Sequence, residues 1–324
     1  MALWYVDPAA SGTNAGTSWT NAWTSLSSPM TSAAAGDTIY CRGKQSRTTA
    51  EGAIATTKNG TVNSRLKFVG CNAAGVANAG QFTLLGTAGN LPTNLLSFGH
   101  SYYNFENFTF DAASSNLVIR ATGGYWTFKR CIFQNGSAAG FYNTYYYCMF
   151  EYCVFQNNVI GVQESWSTVY RYCKFIHNSQ YGLFSSRSTN VYIDCLVHAN
   201  GISGITFGAN SENNQFINST FDGHTASTGI GLDASNARDD SIIVKCRFTN
   251  NKIGLKANTT LFVYENDNFF YNNSTAHKQN TNNYCGAEDV TGTADGYVDA
   301  TNNNFSLLDA AQGKNVPIDL DWNS

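Results

Sequence analysis

Aromatic and charged side chains in the middle of this 324-residue chain are of the types that contact sugars. Aromatic rings can stack on a sugar ring, while carboxylates and guanidiniums can bind its hydroxyl or carboxylate groups. The candidate substrate-binding residues are Tyr142, Tyr145 and Trp166. The candidate catalytic residues are Glu164, Arg187, Asp233, Arg238, Asp239 and Asp240. The alternative is that the tyrosines line a polar surface or pack under loops.

One reaction open to such a set is the cleavage of a uronate polymer by a lyase. A lyase needs a base beside the C5 proton and a cation, either calcium or an Arg or Lys side chain, that neutralises the carboxylate. Candidate cations occur at Arg187, Arg238, Lys245, Arg247, Lys252 and Lys256. Calcium could use Asp233, Asp239 or Asp240, but no loop has the ligand spacing of a calcium site. The alternative is that these charges form solvated pairs on the surface.

A second reaction is hydrolysis by paired carboxylates. Asp239 and Asp240, with Asp222 and His224, are weakly similar to the site of polygalacturonase-type hydrolases. The ordered motifs of that family do not occur here, because His224 precedes the aspartate pair. The other histidines are scattered, and His177 and His198 fall in asparagine-containing turns. A hydrolase is therefore less favoured than a lyase, and both compete with a protein that only binds a glycan.

A repeat of 20 to 27 residues must position these side chains. Its anchor column is Phe108, Cys131, Cys153, Cys173, Cys195, Ser219, Cys246 and Asp267. Two residues later stand Phe110, Phe133, Phe155, Phe175, Val197, Phe221, Phe248 and Phe269. Alternation with period two predicts that both columns point inward. A repeat of this length without a helical pattern predicts a β-solenoid, in which each position stacks on itself in the next coil.

A third aromatic column lies three residues before the anchor, from Phe105 to Tyr264. Residues three apart in one flat strand would point to opposite faces. Two inward columns at this spacing therefore predict a bend between them, with two adjacent outward residues. The first residues of the earliest outward pairs alternate in charge: Glu106, Lys129, Glu151 and Arg171. Opposite charges on adjacent strands attract, which supports the stacking of consecutive coils.

A second turn and strand complete each coil. Asn158, Asn178, Asn200, Asn251 and Asn272 share one turn position and are predicted to form a hydrogen-bonded ladder. A glycine then opens the next strand, where we expect it to serve a bend without steric cost. The outward column of this strand is Tyr142, Gln163, Phe184, Thr206, Asp233 and Lys256.

Composition limits the classes of partner. A net charge of −3 gives no electrostatic footprint for nucleic acid, and no apolar run reaches the length of a membrane span. The nine cysteines are an odd number, and five of them fall in the anchor column. We expect these five to be buried, reduced thiols. No metal motif and no cofactor motif is present, and no signal peptide is visible, so synthesis in a host cytoplasm is expected.

Three regions are predicted along the chain. Residues 1–36 form an N-terminal cap with a short helix between Trp19 and Met30, residues 37–275 form the solenoid, and residues 276–324 form an irregular C-terminal cap. The caps cover the open apolar ends of the solenoid.

The segments Tyr5–Pro8, Gly12–Trp19, Ala22–Leu26 and Ala35–Tyr40, with Gly296–Ala300 and Asn304–Leu307, look like the two ends of known proteins. They resemble right-handed parallel β-helix proteins of the pectate-lyase-like superfamily. This resemblance implies an all-β right-handed parallel β-helix, but the superfamily includes lyases, hydrolases, epimerases, viral tail proteins and adhesins.

The absence of a visible export signal favours the viral or bacteriophage members of this superfamily. The expected function is a tail-associated or surface protein that binds a polysaccharide, acts on the virion or outside the cell, and is a trimer if it is a tail spike. The alternative is a depolymerase that cleaves the glycan in an outer groove, by a lyase rather than a hydrolase mechanism.

Overall fold

The computed structural model describes residues 1–87, 93–114, 117–237, 241–257, 263–279, 284–285, 290–292, 297–299 and 304–307. Two compact units make up the chain: an N-terminal unit, Met1–Val159, and a C-terminal unit, Ile160–Ser324. In both, the coil consists of three short strands separated by turns, and the strands of successive coils pair in parallel.

The N-terminal unit contains fifteen strands and one short α-helix in the part of it that the structure describes. The strands and helix are β1 (Leu3–Val6), α1 (Ser27–Ser32), β2 (Thr38–Arg42), β3 (Lys44–Arg47), β4 (Ile54–Ala55), β5 (Leu66–Cys71), β6 (Phe82–Gly86), β7 (Asn94–Phe98), β8 (Tyr103–Glu106), β9 (Phe108–Asp111), β10 (Leu117–Ala121), β11 (Thr127–Lys129), β12 (Ile132–Gln134), β13 (Ala139–Asn143), β14 (Met149–Glu151) and β15 (Val154–Gln156). Its first sheet has the order β1-β2-β5-β8-β11-β14, its second β3-β6-β9-β12-β15 and its third β4-β7-β10-β13. The helix predicted for Trp19–Met30 is therefore confined to Ser27–Ser32.

The C-terminal unit repeats the same three-sheet arrangement. Its strands are β16 (Ile160–Gln163), β17 (Val169–Arg171), β18 (Lys174–Ile176), β19 (Tyr181–Ser185), β20 (Val191–Ile193), β21 (Leu196–His198), β22 (Ser203–Phe207), β23 (Gln215–Ile217), β24 (Thr220–Asp222), β25 (Ile230–Asp233), β26 (Ser241–Val244), β27 (Arg247–Thr249), β28 (Ile253–Lys256), β29 (Val263–Asn266), β30 (Phe269–Tyr271), β31 (Ala276–Gln279), β32 (Tyr284–Cys285), β33 (Val290–Thr291), β34 (Tyr297–Asp299) and β35 (Asn304–Leu307). The first sheet is β17-β20-β23-β26-β29-β32, the second β18-β21-β24-β27-β30-β33 and the third β16-β19-β22-β25-β28-β31, while β34 and β35 pair antiparallel.

The inward columns form the core, as predicted. Phe133 and Phe155 stack with ring centroids 4.8 Å apart, and Phe221 and Phe248 stack at 4.9 Å. The five anchor-column cysteines are buried thiols that form no disulfide bond. Stacked rings and thiols thus exclude water from the interior of both units.

The last aromatic coil departs from the prediction by one residue. Phe248 pairs in register with Phe270, and Arg247 pairs with Phe269. Asn268 is buried and its side-chain oxygen accepts a hydrogen bond from the Cys246 N–H, so it follows the cysteine in the anchor column. Asp267 instead has φ +55 and lies in the bend.

The bend between the first and second sheets is built by left-handed residues. The second member of each outward pair has positive φ: Asn107, Arg130, Tyr152, Tyr172, Asp194, Asn218, Lys245 and Asp267. The predicted charge alternation is present in the N-terminal unit, where Glu106 pairs with Lys67 at 3.5 Å and with Arg130 at 3.2 Å. Lys129 pairs with Glu151 at 3.0 Å.

The asparagine ladder is confirmed in the C-terminal unit, with two corrections. Its members are Asn178, Asn200, His224, Asn251 and Asn273, so a histidine occupies one position and Asn273 replaces the predicted Asn272. The glycine beside the ladder is needed because a side chain would not fit there, and not because the backbone bends, as had been expected. A Cβ on Gly231 would lie 2.6 Å from the carbonyl oxygen of Gly254 in the next coil.

Candidate functional site

The third sheet of the C-terminal unit presents one continuous outward column. The parallel register aligns Gln163 with Phe184, Phe184 with Thr206, and then Asp233, Lys256 and Gln279 in successive coils. This is the outward column predicted from the sequence. Because neighbouring strands lie about 4.8 Å apart, successive side chains of this column repeat at that distance.

Three of the candidate residues meet at the end of this sheet. Arg187 Nε lies 3.2 Å from Glu164 Oε2, and the guanidinium carbon of Arg187 lies 5.3 Å from the ring centroid of Trp166. The side chain of Arg187 is 42% exposed and that of Glu164 is 17% exposed. We call Glu164, Trp166 and Arg187 the Trp166 cluster. It combines an ion pair, whose two contacting atoms are shielded from solvent, with a cation–π contact of the part-exposed guanidinium.

A buried serine fixes the turn that carries this cluster. Ser165 is buried, and its Oγ is 2.8 Å from the Tyr170 hydroxyl and 2.9 Å from Asn190 Oδ1. Glu164, on one side of it, has φ +54 and donates its N–H to the Phe184 carbonyl oxygen at 2.9 Å. Because Ser165 points inward, its neighbours Glu164 and Trp166 are directed away from the core.

Asp233 belongs to a different pair. Its Oδ2 lies 3.7 Å from Lys256 Nζ, and its Oδ1 accepts hydrogen bonds from the N–H and hydroxyl of Ser235. The register places Asp233 two coils beyond Phe184 in the same outward column. The Trp166 cluster lies at the end of the strands that carry this column. Arg238, Asp239 and Asp240 lie outside the described residues, so their roles stay predictions.

The cations considered for a lyase do not converge. Arg247 is buried, with its guanidinium carbon 4.2 Å from the ring centroid of Phe269. Lys245 lies in the bend after the first sheet, and Lys252 donates to the Ser227 carbonyl oxygen. Only Arg187 and Lys256, among those with a described position, lie on or beside the outward column of the third sheet.

The histidines and Asp222 have structural partners. His198 lies in β21, not in a turn, and its Nδ1 is 3.0 Å from Asp222 Oδ2. Asp222 is buried and its other oxygen accepts from Thr249 and Asn250. Within the described ranges, no three His, Cys, Asp or Glu side chains are grouped closely enough to hold a metal ion.

The two tyrosine candidates belong to the N-terminal unit. Tyr142 pairs in register with Arg120 on the third sheet, and Tyr145 is 44% exposed with its ring edge against Tyr146 at 5.3 Å. Sequence reasoning missed a neighbouring row, Tyr102, Tyr125 and Tyr147, in which each ring stacks on the next. Its signal was present: each tyrosine stands three residues before the buried aromatic column, at spacings of 23 and 22.

The coil geometry agrees with comparisons to known proteins. The family model for a right handed beta helix region matches residues 94–238. The chain is a right-handed parallel β-helix. Similar β-helix structures include the pectate lyase Pel9A, with a TM-score of 0.78 at 15% identity over 96% of this chain and 90% of its own.

Two further structures share this β-helix fold. An alginate lyase from Paenibacillus sp. has a TM-score of 0.55 at 11% identity, covering 83% of this chain and 93% of its own. The Dettilon tailspike protein has a TM-score of 0.57 at 12% identity, covering 90% of this chain and 59% of its own. Identities this low establish the fold alone. No curated protein sequence matches this β-helix significantly. Across its described part, no helix has the length and apolarity needed to span a membrane.

Proposed function

We propose that this β-helix binds a polysaccharide on the outer face of the third sheet in the C-terminal unit. The observation that carries the proposal is the Trp166 cluster, in which Arg187 lies against both Trp166 and Glu164. A half-exposed ring can stack on a sugar, and the adjacent guanidinium and carboxylate can bond its hydroxyl groups. The β-helices of similar structure include a pectate lyase and an alginate lyase, whose names state polysaccharide substrates.

The ion pairs favour binding over cleavage of a uronate. Arg187 is already neutralised by Glu164, and Lys256 by Asp233. A uronate carboxylate would therefore have to compete with a protein carboxylate for either cation. A hydroxyl-rich sugar can instead bond to both members of each pair without separating them. A depolymerase is the alternative, and its products would reveal it: a lyase creates ultraviolet-absorbing unsaturated ends, and a hydrolase creates reducing ends only.

We also propose that the protein acts on a virion or outside the cell, as part of a phage tail. Proteins of similar structure include a tailspike protein and a protein of Geobacillus virus E2, which support this placement. A tail spike would be a trimer. Sedimentation equilibrium of the full chain tests that expectation, and a monomer across the concentration range would contradict it.

Affinity electrophoresis of the full chain in gels containing galactomannan or polygalacturonate tests the binding proposal. We expect retardation by galactomannan to weaken about tenfold or more in Trp166→Ala and in Arg187→Ala, with an unchanged melting temperature. Arg171→Ala is the matched control, because Arg171 is an exposed arginine of the first sheet in the same unit. Equal retardation of all variants, or no retardation of the wild type by either polymer, would contradict the proposal.

A further inference from the structure

The N-terminal unit carries a row of stacked tyrosines at its surface. The ring centroids of Tyr102 and Tyr125 lie 4.8 Å apart at an interplanar angle of 10°, and those of Tyr125 and Tyr147 lie 5.1 Å apart at 21°. Tyr147 is 53% exposed, and the other two are half-buried. We call these three residues the tyrosine ladder.

The turn conformation does not explain the choice of tyrosine. Tyr102, Tyr125 and Tyr147 have φ values of 66°, 62° and 61°, in the left-handed region that glycine and asparagine adopt at least cost. A bulky residue in this region is unfavourable, yet the same residue type occupies three consecutive coils. Left-handed tyrosines also occur at Tyr152 and Tyr172, so the stacking of the rings, and not the backbone, distinguishes this row.

The hydroxyl groups of the ladder are available. In the part of the chain that the structure describes, the hydroxyls of Tyr102, Tyr125, Tyr145 and Tyr147 make no hydrogen bond to another protein group. Burial, followed by the proximity of the phenols of Tyr102, Tyr147 and Tyr145, raises the pKa of Tyr125. The stacked rings bring neighbouring phenols close together.

An arginine makes the ladder rigid at one end. Arg65 donates from Nη1 to the carbonyl oxygen of Tyr125 at 2.6 Å, and its guanidinium carbon lies 5.8 Å from the ring centroid of Tyr102. Arg65 thus ties the backbone of one ladder turn to the ring of another. Groups held in place before binding lose less conformational entropy when a ligand arrives.

We propose that the tyrosine ladder is a second carbohydrate-binding surface, which takes a hydroxyl-rich, uncharged polysaccharide lying along the row of coils. The rings repeat at 4.8 and 5.1 Å, close to the length of one sugar unit, so successive phenols meet successive sugars. Phenols keep their protons at neutral pH and donate to sugar hydroxyls without demanding a charge. The exposed ring of Tyr147 offers a face for stacking.

This inference shares its class of ligand with the proposed function, but it rests on different residues in a different unit. The test is affinity electrophoresis in galactomannan of the triple variant Tyr102→Phe/Tyr125→Phe/Tyr147→Phe, which keeps the rings and removes the hydroxyls. We expect binding to weaken about tenfold or more, with an unchanged melting temperature. The control is Tyr5→Phe/Tyr40→Phe, since these half-exposed tyrosines are paired at 6.0 Å outside the ladder.

A second measurement localises the contact. Galactomannan should protect Tyr147 from nitration by tetranitromethane, read by mass spectrometry, in the wild type and in Trp166→Ala. Unchanged retardation of Trp166→Ala and Arg187→Ala by galactomannan, together with protection of Tyr147, would contradict the proposed function and leave the ladder proposal standing. Unchanged binding of the triple variant, no protection of Tyr147, or a change in sedimentation without a change in binding would overturn the ladder proposal, the last by indicating a contact between copies of the chain.

Discussion

The Nδ1 of His224 lies 2.7 Å from the side-chain oxygen of Asn251. The amide nitrogen of Asn251 donates to the Phe221 carbonyl and to Asn273, so its oxygen must accept. His224 Nδ1 therefore carries the proton, and Nε2, 3.3 Å from the amide nitrogen of Asn200, is the acceptor. The histidine is a neutral member of the ladder, because a second ring proton would face the donors of Asn200.

This arrangement predicts a pH dependence of stability. Burial lowers the pKa of His224 from 6.5 to about 4, although the hydrogen bond to Asn251 opposes the change. The unfolded chain binds a proton between these values and the folded chain does not, so the free energy of unfolding falls as the pH falls through this range. The expected loss from this residue is about 3 kcal/mol between about pH 7 and about pH 4.

The measurement is urea unfolding of the wild type and His224→Asn across that range. An asparagine can accept from Asn200 and donate to Asn251 as its neighbours do, and it does not titrate. As the pH falls, the wild type should lose unfolding free energy relative to His224→Asn. A difference that stays constant with pH would show that folding does not lower the pKa of His224.

Gly231 is predicted to be required because the next coil approaches its backbone too closely for a side chain. Gly231→Ala would place a methyl group 2.6 Å from the Gly254 carbonyl oxygen and 3.1 Å from the Phe221 Cβ. We expect a loss of about 1 to 3 kcal/mol in unfolding free energy. Gly99→Ala is the control, since a Cβ there meets nothing within 4 Å. Equal stability of the two variants in urea would disprove the close approach of the coils.

The anchor-column thiols are predicted to be unreactive in the folded protein. Cys131 and Cys195 are fully buried, and the Sγ of each lies 3.4 Å from the carbonyl oxygen two residues earlier. Burial raises the pKa of Cys131, which removes the reactive thiolate. A thiol reagent should label these residues only in denaturant, as read by mass spectrometry. Rapid labelling of the native protein would contradict the inward position of the column.

The buried part of the fold could be predicted because each coil repeats the same residues at the same distance. A cysteine followed two residues later by a phenylalanine identifies an inward pair wherever it occurs. The prediction failed where that signal became ambiguous: β30 contains both Phe269 and Phe270, and either could continue the column. The left-handed conformation of Asp267 decides between them, and it is not visible in residue types.

The site was less predictable, because side-chain contacts depend on turns. The repeat placed Trp166 and Arg187 in neighbouring coils, but it did not predict that Arg187 would contact both Glu164 and Trp166. That contact depends on the left-handed backbone at Glu164 and on Ser165 being buried between two outward neighbours. The tyrosine ladder was missed for the opposite reason: its period was present, but it lay outside the strand columns used to define the coil.

The hydrogen bonds between neighbouring side chains of the asparagine ladder run in one direction. Asn178 donates to Asn200, and Asn251 donates to Asn273, so every coil shows an acceptor to the coil before it and a donor to the coil after it. Coils with this property are interchangeable modules. An insertion or deletion of one whole coil leaves complementary groups at the new joint, whereas a change of half a coil leaves a buried amide opposite the wrong partner. Insertion or deletion of one whole coil in the C-terminal unit is therefore expected to preserve the ladder.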